Sequence, residues 1–125
     1  GLWYTTYDYR IQMRDQMVEM YQQLPNPIPP IEDDYGVHQR WLVFYIDGVK
    51  VLNKPQPENV INEYRKALEK EGWAAEREYV RNDKNKTYGI NMRKGEFVFS
   101  VSARENRDSI NIHLIKRDWI YHMGL

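Results

Sequence analysis

Cysteine is absent from all 125 residues, which removes disulfides, thiol nucleophiles and Cys-ligated zinc or iron-sulfur centres while saying little about compartment. No run of eighteen apolar residues occurs, so no stretch of this sequence is predicted to cross a membrane as a helix. An excess of charge is missing too: eighteen Lys and Arg balance eighteen Asp and Glu. A chain that relies on bulk attraction to phosphates carries a strong positive balance, so no nucleic-acid partner is expected. The seven glycines are scattered at turns, without G-x-G-x-x-G or a Walker-type Lys to cradle a phosphate, and no G-x-S-x-G elbow presents a serine nucleophile. No internal repeat is visible.

What is present is enough for a core. Hydrophobic residues make up 42% and aromatic residues 14% of a chain of single-domain length, outside the disordered and low-complexity classes. From Tyr7 to Leu24 there is no Pro or Gly, and Tyr7, Ile11, Met17, Val18, Tyr21 and Leu24 recur at helical spacing, which predicts an amphipathic helix with Met13, Met17 and Met20 as core filling. Pro25, Pro27, Pro29 and Pro30 then forbid helix and favour an extended connector that continues through Glu32, Asp33, Asp34 and Gly36. Leu24, Ile28 and Ile31 suggest that this segment lies on its own domain rather than serving an external aromatic groove.

Trp41 to Ile46 reads as a buried strand, and Asp47-Gly48 as a type I′ hairpin turn returning through Val49 to Leu52. Pro57 suits a first helical turn, and Val60, Ile61, Tyr64, Ala67 and Leu68 form one apolar stripe ended by Gly72 and Trp73. A meander follows: a strand from Trp73 to Arg81, a turn over Asn82 to Lys86, a strand from Thr87 to Met92 and a reversal at Lys94-Gly95. Phe97, Phe99, Val101 and Ala103 then share one face, as do Ile110, Ile112 and Leu114 beyond a turn at Arg104 to Asp108. The expected fold is a single α+β domain: an antiparallel sheet of five to six strands with two amphipathic helices packed on one face. It divides into a helix over residues 1–24, a Pro-rich connector over 25–40, and hairpin, helix and meander over 41–125.

Candidate chemistry is sparse. His38, His113 and His122, with Asp33 and Asp34, are the possible metal ligands, but none forms a pair at ligand spacing, so no metal and no cofactor is expected. Asp83 to Thr87 begins like a calcium loop, yet Tyr88 and Lys94 stand where Gly and Glu are needed. Asn85-Lys86-Thr87 is formally a glycosylation acceptor and is given no role. Ser100, Ser102 and Ser109 sit in strand-like sequence, and the acid pairs Glu76 with Glu78 and Asp33 with Asp34 have the pattern of solvated surface. Lys94 to Phe99 superficially matches an RNA-stacking strand, but Glu96 stands where an aromatic is needed. No catalytic residues are assigned, and an enzyme is disfavoured.

Charge is unevenly placed. Residues 81–117 hold nine Lys and Arg against four Asp and Glu, whereas residues 1–80 hold nine against thirteen. A basic surface of Arg77, Arg81, Lys84, Lys86, Arg93 and Lys94 either meets an acidic partner or anionic headgroups, or solvates hairpin edges. The candidate partner contacts are Arg77, Arg81, Arg93 and Lys94.

The chain opens at Gly1 without an initiator Met, and an upstream segment is expected. Leu2, Trp3, Tyr4 and Tyr7 form an aromatic cluster that fits either the belt after a removed membrane anchor or a staple of the first helix onto the core. Leu24-Pro25-x-Pro27 with its further prolines, then Pro57-Glu58-Asn59-Val60 with Tyr64 and Leu68, then Gly72-Trp73 and a meander, resemble small bacterial lipoprotein-like or membrane-tethered domains of unknown function. The resemblance spans most of the chain, with Gln56 in place of the usual Ser or Thr cap and no lipid-attachment Cys. It implies tethering outside the cytoplasm and carries no catalytic residues. The expected function is noncatalytic binding of a protein or envelope component. A carrier with an apolar pocket lined by residues such as Tyr64, Phe99 and Ile112 is the first alternative and an enzyme the second.

Overall fold

The computed structural model describes residues 2–122, and the side chains of residues 7–118, 121 and 122. The elements run α1 (Leu2–Gln23), β1 (Glu32–Arg40), β2 (Val43–Val51), α2 (Pro57–Lys70), β3 (Ala74–Asn82), β4 (Lys86–Lys94), β5 (Phe97–Arg104), β6 (Ser109–Lys116) and the single turn α3 (Trp119–His122). The six described strands form one antiparallel sheet in the order β1-β2-β6-β5-β4-β3. Helix α1 lies over β2 and β6, and α2 over β3, β4 and β5. Both therefore cover the same face, as the α+β reading expects.

That face is the core because the strands alternate. Ile46, Ile90, Met92, Phe99, Val101, Ala103, Ile110, Ile112 and Leu114 are buried beneath the helices. From α1 come Met17 and Tyr21, with Met13, Met20 and Leu24 packed beside them. Tyr7 and Ile11 on the same helix are exposed, and the rest of the predicted aromatic cluster, Leu2 to Tyr4, lies outside the described side chains. From α2 come Val60, Ile61, Tyr64 and Leu68. Glu58 in the first turn and Lys70 in the last complement the helix dipole. Gly72, at φ 90°, turns the chain left-handed, and the Trp73 N–H donates to the Leu68 carbonyl at 3.0 Å. This closes the helix end under a buried indole.

Two expectations are corrected at the front of the sheet. The connector is shorter than residues 25–40, because Glu32 to Arg40 form strand β1 along β2. The hairpin turn lies at Trp41 and Leu42, with Trp41 at φ 58°, and β2 runs straight through Asp47-Gly48. Gly48 is glycine for a packing reason. A Cβ there would approach Ile112 side-chain carbons at 2.9 Å and the Asp34 carbonyl oxygen at 3.0 Å. An Asp-Gly pair supplies a turn only where the chain must reverse, and here both neighbouring strands hold it extended.

A bulge decides the last strand. Ala75 pairs with Met92 on the helix-covered side, but the register slips before Arg77, which pairs with Asn91. The extra residue, Glu76, reverses the alternation. Arg77, Tyr79 and Arg81 are thereby carried to the side away from the helices, while Glu78 faces α2 and meets Arg65 at 3.3 Å.

Candidate functional site

The face of the sheet away from α1 and α2 is crossed by rows of side chains fixed by the strand register. One row runs Glu32, Val51, Ser109, Arg104, Thr87, Arg81. The next runs Asp34, Val49, Asn111, Ser102, Gly89, Tyr79, and the third Gly36, Asp47, His113, Ser100, Asn91, Arg77. A fourth holds His38, Tyr45, Ile115, Val98 and Arg93. Six strands at a spacing of about 4.8 Å, each some eight residues long at about 3.3 Å per residue, give this face roughly 800 Å².

Its charges are sorted across the sheet. The β1 and β2 side carries Glu32, Asp34 and Asp47, with Arg40 at its hairpin end; the β4 and β3 side carries Arg93, Arg77 and Arg81, and Arg104 stands between them on β5. Arg93 and Arg117 are drawn to Glu76 on the bulge. Arg77 and Arg81 instead hold their guanidinium groups 5.2 and 5.3 Å from the centre of the Tyr79 ring, one from each side. Among the described residues Glu32, Asp34, Arg77 and Arg81 take part in no ion pair, and all four are exposed. Tyr79 lies across Gly89, where any Cβ would collide with the ring.

Of the four predicted contact residues, Arg77, Arg81 and Arg93 thus share this face. Lys94 does not: it lies on the helix-covered parity of β4 and its ammonium donates to the Glu71 carbonyl at 2.7 Å, capping the end of α2. The acid pairs are separated as well, Glu76 toward Arg93 and Arg117, Glu78 toward Arg65. The aromatics of the RNA-like stretch turn inward, Phe99 into the core and Phe97 against its edge.

All three histidines face this side or its rim. His113 donates through Nδ1 to Asp47 Oδ1 at 2.7 Å, since an ionised carboxylate only accepts. Tyr45 stacks between His38 and His113, with ring centres 5.3 and 5.6 Å apart. Arg40, Val43, Tyr45, His113, Ile115 and the α3 residues Tyr121 and His122 enclose a hollow of about 560 Å³ at one end. Among the described residues no three His, Asp or Glu side chains gather as metal ligands. Ser100 stands beside His113 in the Asp47 row, a juxtaposition that the sequence hides because the three residues lie far apart along the chain. The neighbouring backbone N–H groups are committed to the strand ladder, so the row offers no backbone oxyanion donors for acyl transfer.

On the helix-covered side, one buried charge stands out. Lys50 is 5% exposed, the one charged side chain buried among the described residues. Its ammonium donates to Asn26 Oδ1 and to Asp33 Oδ2, the latter at 3.3 Å, and Tyr21 donates its hydroxyl to Asp33 Oδ1 at 3.4 Å. Asp33, a candidate metal ligand by sequence, is thus a counterion that pins the proline connector and β1 to β2. Tyr21 and Tyr64 both hold their protons well above the usual tyrosine range, chiefly through burial and then through the Asp33 charge. A cleft of about 310 Å³ opens beside Lys50, Tyr21 and Phe99. A larger hollow of about 860 Å³, between the start of α2 and the β5–β6 turn, is lined mainly by polar side chains such as Glu58, Asn62 and Asp108. Tyr64, Phe99 and Ile112, proposed above as the lining of a carrier's pocket, belong instead to the continuous core.

Comparison with known protein families and with curated protein sequences gives no match.

Proposed function

We propose that the chain is a noncatalytic binding domain, tethered on the extracytoplasmic side of a bacterial membrane, that engages a protein or envelope component through the open face of its sheet. One observation carries this reading: Tyr64, Phe99 and Ile112 belong to the core on the helix-covered side, while the opposite face presents charge in which Glu32, Asp34, Arg77 and Arg81 take part in no ion pair among the described residues. Binding through such a face needs complementary charge and no rearrangement of the core.

The tether is supported by the resemblance noted above and by the end of the domain at which α1 starts. Met13 and Met17 border Leu42, Val43 and Asp118, and the Tyr9 hydroxyl is raised by burial and then by Asp118 and Glu96. Helix α1 therefore begins at the β1–β2 tip and ends beside Asp33. Trp41, 76% exposed at that tip, and Tyr7, exposed on α1, supply amphipathic rings of the kind that settle at a membrane interface.

A photoreactive amino acid placed at Val49, on the open face, tests the reading in native membranes. A discrete adduct at Val49, and none from the same probe at Lys66 on the outer side of α2, is the expected result. Equal or absent labelling at the two positions sinks it.

A further inference from the structure

We infer that the occupant of the open face is a second copy of this chain, related by a two-fold axis that runs parallel to the strands between β6 and β5. This rests on the open face being the docking surface. A face-to-face pair of identical sheets has two simple symmetric solutions, and they make opposite predictions. Rotation about an axis across the strands lays β1 on the partner's β1 and acid on acid. Rotation about an axis along the strands lays β1 on the partner's β3 and β2 on the partner's β4, because the sheet order is β1-β2-β6-β5-β4-β3.

The second solution keeps every row opposite itself. Glu32 then meets Arg81 of the partner subunit, and Asp34 lies over the partner's Tyr79, between its two guanidinium groups. Exposed Val49 falls on the Gly89 row position and Asn111 on Ser102. Each pair occurs twice, so Glu32, Asp34, Arg77 and Arg81 are all brought to opposite charge by one operation, while Arg40 and Arg104 on the same face are not. Stacked twisted sheets cross at about 30°, so the match is tightest near the axis and the long charged side chains span the drift at the edges. The whole face spans roughly 800 Å² on each copy, the scale of a standard stable interface, of which α3 occupies part at the Arg40 end.

The proposed tether is compatible with the same axis. A two-fold along the strands leaves both starts of α1 and both Trp41 tips at one end, so two copies tethered to one membrane can pair. The crosswise axis would put them at opposite ends. The α3 turn rims the end that holds Arg40, Val43, Tyr45, His113 and Ile115 and leaves the Glu32 and Asp34 rows clear.

Complementary charge reversal tests this with the whole chain in solution. The unmodified chain is expected to sediment as a dimer in the micromolar range, and E32R/D34R and R77E/R81E are each expected to weaken dimerisation by about tenfold or more. Mixing the two variants sets basic β1 on acidic β3 at one edge and basic β3 on acidic β1 at the other, and a heterodimer close to the unmodified affinity is expected. The cysteine-free background permits a second readout. Ser102→Cys, near the axis, is expected to be joined by a short bismaleimide cross-linker into a species of twice the mass, because facing sheets stand about 10 Å apart, and Lys66→Cys is not. A chain that stays monomeric at millimolar concentration, or variants that neither weaken alone nor rescue when mixed, would overturn the dimer. A Val49 adduct with a different protein and no Ser102→Cys dimer overturns this inference while the docking reading stands; no Val49 adduct and no dimer removes both.

Discussion

The two faces of this sheet are built from the same strands and solve opposite problems. On one, every position from Ile46 to Leu114 across the central strands is closed against a helix. On the other, charges, hydroxyls and a few rings stand in rows, with only the short α3 turn beside the rows at the Arg40 end. The first face tolerates almost no change of volume, because interiors are packed like crystals. The second tolerates change of volume but not of charge pattern, if that pattern is what it offers a partner. Stability therefore resides in one face, and the proposed binding uses the other.

Truncations on each face provide the widest contrast. Leu68→Ala, on the buried side of α2, is expected to cost about 2–5 kcal/mol, whereas Val49→Ala on the open face is expected to stay within about 0.5 kcal/mol. Urea denaturation of both measures the difference, and comparable losses would contradict the division. Next comes the buried ammonium. Asp33→Asn leaves the 5% exposed Lys50 without its counterion and is expected to cost about 1–3 kcal/mol. Lys50→Met leaves a carboxylate that is 34% exposed at its side chain and is expected to cost less than about 1 kcal/mol. Thermal melts should rank them in that order.

Gly48→Ala probes the seam between the faces. The added methyl meets Ile112 and the Asp34 carbonyl, and a loss of about 1–3 kcal/mol is expected from overpacking. A substitution that proved harmless would return Gly48 to an ordinary strand position.

Alkaline titration gives the finest distinction. Tyr21 and Tyr64 are raised above their ordinary value of 10.0 by burial and by Asp33. Unfolded, both release their protons near that value; folded, they retain them. The unfolded state then binds fewer protons, so stability is intact below pH 10 and falls above it, by at most about 1.4 kcal/mol per pH unit for each tyrosine. Tyr64→Phe should lessen that slope. It should also raise stability at neutral pH by up to about 1 kcal/mol, because the Tyr64 hydroxyl is buried with no hydrogen-bond partner among the described residues. Denaturation midpoints from pH 8 to pH 11 test both.

Much of the helix-covered face was legible along the chain. The Val60, Ile61, Tyr64, Leu68 stripe with its Gly72-Trp73 ending, and the alternation at Phe99, Val101, Ile110, Ile112 and Leu114, are local periodicities, and burial follows from them directly. Strand β1 was obscured because Glu32, Asp33, Asp34 and Gly36 form an edge strand with few apolar residues, on which composition suggests a loop. The Asp47-Gly48 signal misled because turn propensity is local and strand pairing is not. Of the open face, the basic character of the C-terminal half was visible, but the grouping of Arg77 and Arg81 with Arg93, and the exclusion of Lys94, were not.

The sequence by itself determined that two apolar helical stripes and a set of alternating strands had to bury one side of an antiparallel sheet, because periods of 3.6 and 2 admit few other ways of removing that surface from water. Only the tertiary structure decided which charges face outward together. The Glu76 bulge reverses the parity of β3, and the strand order sends β1 and β3 to opposite edges. Both depend on pairings between residues distant in the chain, which local patterns do not encode.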